Sequence, residues 1–176
     1  MVEQWGGVDA LVCNAGAPVI RQPAADVDWP VLEHKVMGEL QSVWLLARET
    51  FSLLKRTQGC CVFVSSGLAE RPQPGFLAHG VAKSAINSLI RYLAMEWGEF
   101  GIRVNGVAPG LVLTDASNDL AAQASTLAQS LPLRRLATAD DVGGVVTYLV
   151  SPHAAGLTGA ILPVAGGGHL GGVAPV

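Results

Sequence analysis

The stretch CCVFV, Cys60 to Val64, is five apolar residues in a row with no polar alternation. A strand with one face in water alternates, so this one reads as buried on both faces, as in a parallel sheet covered by helices above and below. The flanking sequence agrees. Before it, Leu40, Val43, Trp44, Ala47, Phe51 and Leu54 recur at steps of three and four, which predicts a helix with one buried face, stopped by Lys55, Arg56 and Gly59. After it, Ala82, Ile86, Leu89, Leu93 and Trp97 repeat the pattern, and Gly98 and Gly101 close that second helix.

The unit recurs along the chain. VDALV (8–12) is a short apolar run closed by CNAG, IRVNGVAPG (102–110) is another strand ending in Pro109-Gly110, and AILPV (160–164) is the last. Thr138 with Asp141 three residues later is a capping-box signature, and the helix behind it is predicted to run to about Val150. Strands alternating with helices in this way form parallel βαβ units with right-handed crossovers. The fold class is therefore α/β, with about four parallel strands flanked by helices. No repeat or polar linker divides residues 1–176, so one domain is expected.

Composition narrows the function. The net charge is −3, with 11 basic and 14 acidic residues dispersed and no basic stripe, which argues against nucleic acid as a partner. Half the residues are hydrophobic, yet the most apolar stretch, 154–176, is broken by glycines, prolines and a histidine and has no basic flank. A membrane span needs about 20 consecutive apolar residues, so none is expected. Residues 1–10 lack a signal-peptide pattern. The three cysteines, Cys13, Cys60 and Cys61, have no metal-ligand spacing, and adjacent strand residues point to opposite faces. They read as buried small hydrophobes in a reducing cytoplasm, with no metal site expected.

In an open parallel sheet, ligands bind outside the carboxyl ends of the strands. Asn14, Ser66 and Pro109-Gly110 all fall at such ends. In FLAHGVAKSAINSLI (76–90), Lys83 lies one helical turn beyond His79 on the same helix face. Ser66 and His79 are thirteen residues apart.

These segments, in this order, resemble the short-chain dehydrogenase/reductase family. LVCNAG is similar to the strand end beside the adenosine, VFVSS to the strand of the catalytic serine, HGVAK to Tyr-x-x-x-Lys, IRVNGVAPGLVLT to the nicotinamide-lining loop and GLTGAILPVAGG to the last strand. The thirteen-residue spacing is the family's serine-to-tyrosine spacing. The resemblance implies a Rossmann-like sheet, a small alcohol or carbonyl substrate and NAD or NADP as cofactor. It implies that Ser66 holds the substrate oxygen and that Lys83 binds the nicotinamide ribose and favours deprotonation of its neighbour. Asn14, Ala15 and Gly16 would contact the adenosine half, and Pro109, Gly110, Val112 and Thr114 the nicotinamide side. It also implies a homo-oligomer through helices 40–56 and 79–97.

Three positions depart from the family. His79 stands in the tyrosine's place; it is either an acid–base group or a structural histidine, and beside Lys83 it is expected to be neutral. Glu39, in ELQSVW, stands where an asparagine normally helps hold a water in the proton relay. It would accept from Lys83, repel the substrate, or be an ordinary exposed glutamate. Third, the glycine-rich pyrophosphate loop has no counterpart before Val8, where MVEQWGG reads as the end of a helix. The expectation is an N-terminally truncated domain whose first strand presents an apolar, unpaired edge. Gly166, Gly168 and Gly171 match G-x-G-x-x-G but precede no helix, so they read as a tail rather than a phosphate loop. Residues 115–131 are expected to form the substrate-side flap, with a composition suited to a small or apolar ligand. Two functions remain open: an NAD(P)-dependent oxidoreductase, impaired by these departures, or a catalytically silent relative acting as an association or binding module.

Overall fold

A computed structural model of the chain describes residues 6–113 and 121–171. Four parallel strands, β1 (Ala10–Cys13), β2 (Cys60–Val64), β3 (Arg103–Pro109) and β4 (Ile161–Val164), lie side by side in chain order. Ala10 pairs with Cys60, Cys60 with Arg103 and Gly106 with Ile161, which fixes the register. Among the described residues β1 has one neighbour, β2.

Strand alternation sorts the core into two layers. Cys61 and Phe63 point to one face, where they pack with α1 (Trp29–Thr57) and α2 (Leu77–Trp97) through Val43, Ala47, Leu54, Ile86, Ile90 and Leu93. Val62 and Val107 point to the other, against Leu149 of α4 (Ala139–Val150) and Ala154. A further helix, α3, spans Ala121–Ser130. The capping box opening α4 is present, with the Thr138 and Asp141 side chains each accepting from the other's backbone N–H. Cys60 and Cys61 are buried free thiols and Cys13 is half-buried, and burial pushes the Cys61 thiol up to about 12.

Three features depart from the sequence reading. Helix α1 starts eleven residues before Leu40: Asp28 caps it, accepting from the Val31 amide at 3.1 Å, and Pro30 sits in the first turn. Its cap at the far end is Gln58, which takes the left-handed conformation (φ 52°), while the smallness of Gly59 serves contact with β1. A Cβ at Gly59 would stand 2.4 Å from the Asp9 carbonyl oxygen. Trp44, placed on the buried face by periodicity, is exposed, because Val43 and Ala47 hold the contact line. Residues 1–5 of the stretch MVEQWGG that reads as a helix end, the candidate site residue Thr114, and residues 115–120 of the expected flap lie outside the described residues.

The glycine-rich stretch near the carboxyl end packs closely against a neighbouring turn. Gly168–Leu170 form one 3₁₀ turn with no α-helix behind it among the described residues. Gly167 has φ 87° and a Cβ there would meet Pro132 at 2.6 Å, so these glycines let the chain pass close over the turn at Leu131–Leu133.

Candidate active site

The long helix α1 brings charge into the fold. Its buried stripe runs Ala47, Val43, Glu39, Lys35 in steps of four, so two charged side chains continue an apolar line. Glu39 is 1% exposed and Lys35 2%. One carboxylate oxygen, Oε1, accepts from Lys35 Nζ at 2.7 Å, and the other, Oε2, lies 2.8 Å from Lys83 Nζ. Lys35 also donates to the carbonyl of Ala17, and Lys83 to that of Val64 at 3.0 Å. Glu39 is therefore no exposed glutamate. It is clamped between two ammonium groups from different helices. Burial alone would raise its pKa, but hydrogen bonds from Lys35 and Lys83 overcome that and hold it below the ordinary carboxylate value. Gly16 crosses directly over the clamp, since a Cβ there would lie 3.0 and 3.2 Å from the two carboxylate oxygens.

Lys83 and His79 sit one turn apart at the start of α2, with Lys83 6% exposed rather than solvated. His79 is half-buried, and its Nδ1 is buried with no hydrogen-bond partner among the described residues. Burial first, then the charges of Lys35 and Lys83, push the imidazole down to about 4, against an opposing pull from Glu39. Both causes favour the neutral ring expected beside a lysine, and desolvation is the larger of the two.

The two serines at the end of β2 have separate tasks. Ser65 is 4% exposed, and its hydroxyl donates to Asn87 Oδ1 at 2.5 Å, tying the strand to α2. Ser66 accepts from the Leu68 amide at 3.2 Å, capping the short turn Gly67–Ala69, and borders a cavity of about 110 Å³ with Arg71, Ile161, Pro163 and His169. Asn14, Ala15, Gly16 and Gly110 are exposed at the carboxyl ends of β1 and β3, beside the half-buried Pro109 and Val112. A larger open hollow of about 730 Å³ lies between Gly7 and Thr57, at the opposite end of the strands from Ser66. Among the described residues, no three His, Cys, Asp or Glu side chains converge as a metal site, and no helix is long and apolar enough to cross a membrane.

Lys35 is the residue that sequence reasoning missed. The apolar stripe, extended backwards in steps of four from Val43, lands on Glu39 and then Lys35, and that spacing was the available signal.

The buried imidazole predicts an acid sensitivity. Above pH 6.5 the ring is neutral folded and unfolded alike. As pH falls through 6.5 the unfolded chain takes up a proton that the folded chain resists until about pH 4, so stability falls across that window. The expected loss is roughly 2 kcal/mol, after discounting for the ring's contact with solvent. Urea melts at pH 7 and pH 4.5 measure it. His79→Phe should remove this share of the loss, and an undiminished loss in that variant counts against the assignment.

A four-stranded parallel sheet with helices on both faces is a Rossmann-like α/β architecture, in which ligands bind outside the carboxyl ends of the strands. The comparisons with known proteins make this specific. The family described as enoyl-(acyl carrier protein) reductase matches residues 1–169, and the chain belongs to the short-chain dehydrogenase/reductase family. It is 34% identical over 170 residues to dehydrogenase/reductase SDR family member 4 of Homo sapiens, covering 94% of this chain and 61% of that one. It is 31% identical over 171 residues to glucose 1-dehydrogenase of Gluconobacter oxydans, covering 94% and 64%. The structure of 3-ketoacyl-(acyl-carrier-protein) reductase from Brucella melitensis, complexed with NADH, superposes with a TM-score of 0.87 at 28% identity, covering 94% and 69%. The chain thus spans less than two-thirds of the length of these two curated relatives.

Proposed function

We propose that the chain is an NAD(P)-dependent oxidoreductase of an alcohol or carbonyl substrate, with its turnover at neutral pH limited by His79. The observation that supports this reading is that Lys83, one turn beyond His79 on α2, is fastened to the β2 carbonyl of Val64, two residues before Ser66. The residues present fit the nicotinamide-ribose part of the cofactor. A lysine ammonium has three donors, and Val64 and Glu39 take two, leaving one for a ribose hydroxyl. The exposed backbone of Asn14–Gly16 and of Gly110 would flank it, with Pro109 and Val112 on the nicotinamide side. NAD or NADP, when bound, supplies or accepts the hydride. Ser66 donates to the substrate oxygen, and His79 stands on the proton path. Three free cysteines suit a reducing compartment such as the cytoplasm.

Consumption of reduced nicotinamide cofactor against a panel of small ketones and aldehydes tests the reading. Turnover should be slow, and Ser66→Ala and Lys83→Met should each abolish it. A folded protein that binds NADH or NADPH and reduces nothing between pH 5 and 8 sinks it.

A second reading is favoured by the outer faces of the two long helices. Met37, Trp44 and Leu45 on α1, and Leu77, Val81, Tyr92 and Met95 on α2, are exposed, with Met95 at 83%. The occupant we propose is a second copy of this chain, whose matching helices would cover these side chains. Sedimentation equilibrium should give a dimer, and Tyr92→Glu with Met95→Lys should shift it at least tenfold toward monomer. A parent chain that stays monomeric at 100-fold dilution steps from about 100 μM rules the association out.

A further inference from the structure

The stripe of α1 changes chemistry partway along, from apolar Ala47 and Val43 to Glu39 and Lys35. A carboxylate at 39 facing Lys83 alone would form one buried pair and cancel the charge that Lys83 presents to its surroundings. Lys35 prevents that. With its ammonium 2.7 Å from the other oxygen of the same carboxylate, the cluster holds two cations and one anion, all at most 6% exposed. One positive charge is left over. Lys35 also fastens the turn after β1 through the Ala17 carbonyl, beside the point where Gly16 crosses the carboxylate. Lys35 and Glu39, four residues apart on this helix, thus act as one device.

We propose that Lys35 is a positioning residue of the site: by taking one oxygen of Glu39 it leaves Lys83 an uncancelled cation, and so sets the positive potential felt by His79. His79, whose Nδ1 is buried without a hydrogen-bond partner among the described residues, sits one turn from Lys83 on α2. The charged groups acting on the ring are Lys35 and Glu39 from α1 and Lys83 from its own helix. The proposal concerns this charge balance and not hydride transfer, so it stands or fails separately from the oxidoreductase reading.

Proton NMR titration of the His79 ring, assigned by its loss in His79→Gln, reads the balance in the full chain. Lys35→Met takes the cluster from one surplus positive charge to none, and the His79 midpoint should rise by about one pH unit. Lys35→Met with Glu39→Gln restores the surplus, and the midpoint should return to within about half a unit of the parent. Should Lys35→Met not fold, Lys35→Gln replaces it, keeping a donor toward Glu39 and Ala17 while dropping the charge, with the same upward shift expected. A parent-like midpoint in the folded single variant overturns the proposal. So does a double variant no nearer the parent than the single one. A lysine that merely filled space would give the first of those results.

Discussion

Glu39→Gln is expected to destabilise the fold by about 3–5 kcal/mol, the usual cost of removing one partner from a buried ion cluster. The glutamate oxygens lie 2.7 and 2.8 Å from Lys35 and Lys83, so the amide would leave two buried cations with no anion between them. One amide oxygen still accepts from one lysine. The amide nitrogen then faces the other ammonium, donor against donor. Packing changes little, because the two side chains have nearly the same shape, so the loss reports charge. Urea unfolding gives the number, with an unchanged slope showing that the denatured state is not the cause. A second change, Lys35→Met, removes the surplus cation and should recover at least about half of the loss as a coupling between neighbouring sites. A Glu39→Gln protein within about 1 kcal/mol of the parent would mean that water, not the lysines, compensates the carboxylate.

This cluster also marks the limit of what the sequence shows. Where burial is apolar, periodicity finds it: CCVFV is β2, the line from Ala82 to Trp97 lies within α2, and the Thr138–Asp141 pair caps α4. The first eleven residues of α1 escape because their buried stripe is charged. Lys35 and Glu39 erase the hydrophobic period that residues 43–54 display, although Asp28 and Pro30 supply an N-terminal signal. Helix α3 is hidden for a different reason. Alanine, serine and glutamine dominate residues 121–130, which gives good intrinsic helix formers but little amphipathic contrast. At the site, the resemblance and its thirteen-residue register singled out Ser66, His79 and Lys83 as candidates, and the placement of His79 and Lys83 one turn apart on α2 was legible from the sequence. The burial of Glu39 and the second cation on it were not, since sequence gives charge but not the depth at which a helix carries it.

His79→Tyr is expected to raise carbonyl reduction at pH 7 by about 100-fold or more. With its proton affinity pushed down to about 4, the imidazole carries an acidic proton in only about one molecule in a thousand at pH 7. A phenol at the same position is fully protonated there, and Lys83, one turn along α2, would lower its pKa toward the working range. It also reaches roughly 2 Å farther than an imidazole, toward the substrate oxygen that Ser66 is proposed to hold, and misplacement of 1 Å alone can cost about 100-fold. The pH profile separates these two causes. If protonation limits the parent, its reduction rate should climb about tenfold per unit as pH falls from 7 toward 5, because each unit multiplies the imidazolium fraction by ten. The tyrosine variant should lose that slope. If reach limits the parent instead, the variant gains rate while the parent's profile stays flat across the same range. A folded His79→Tyr protein that binds NADH yet reduces no faster than its parent at any pH would remove His79 from the proton path. The neutral ring would then be a packing residue beside a lysine pair whose charge serves binding alone.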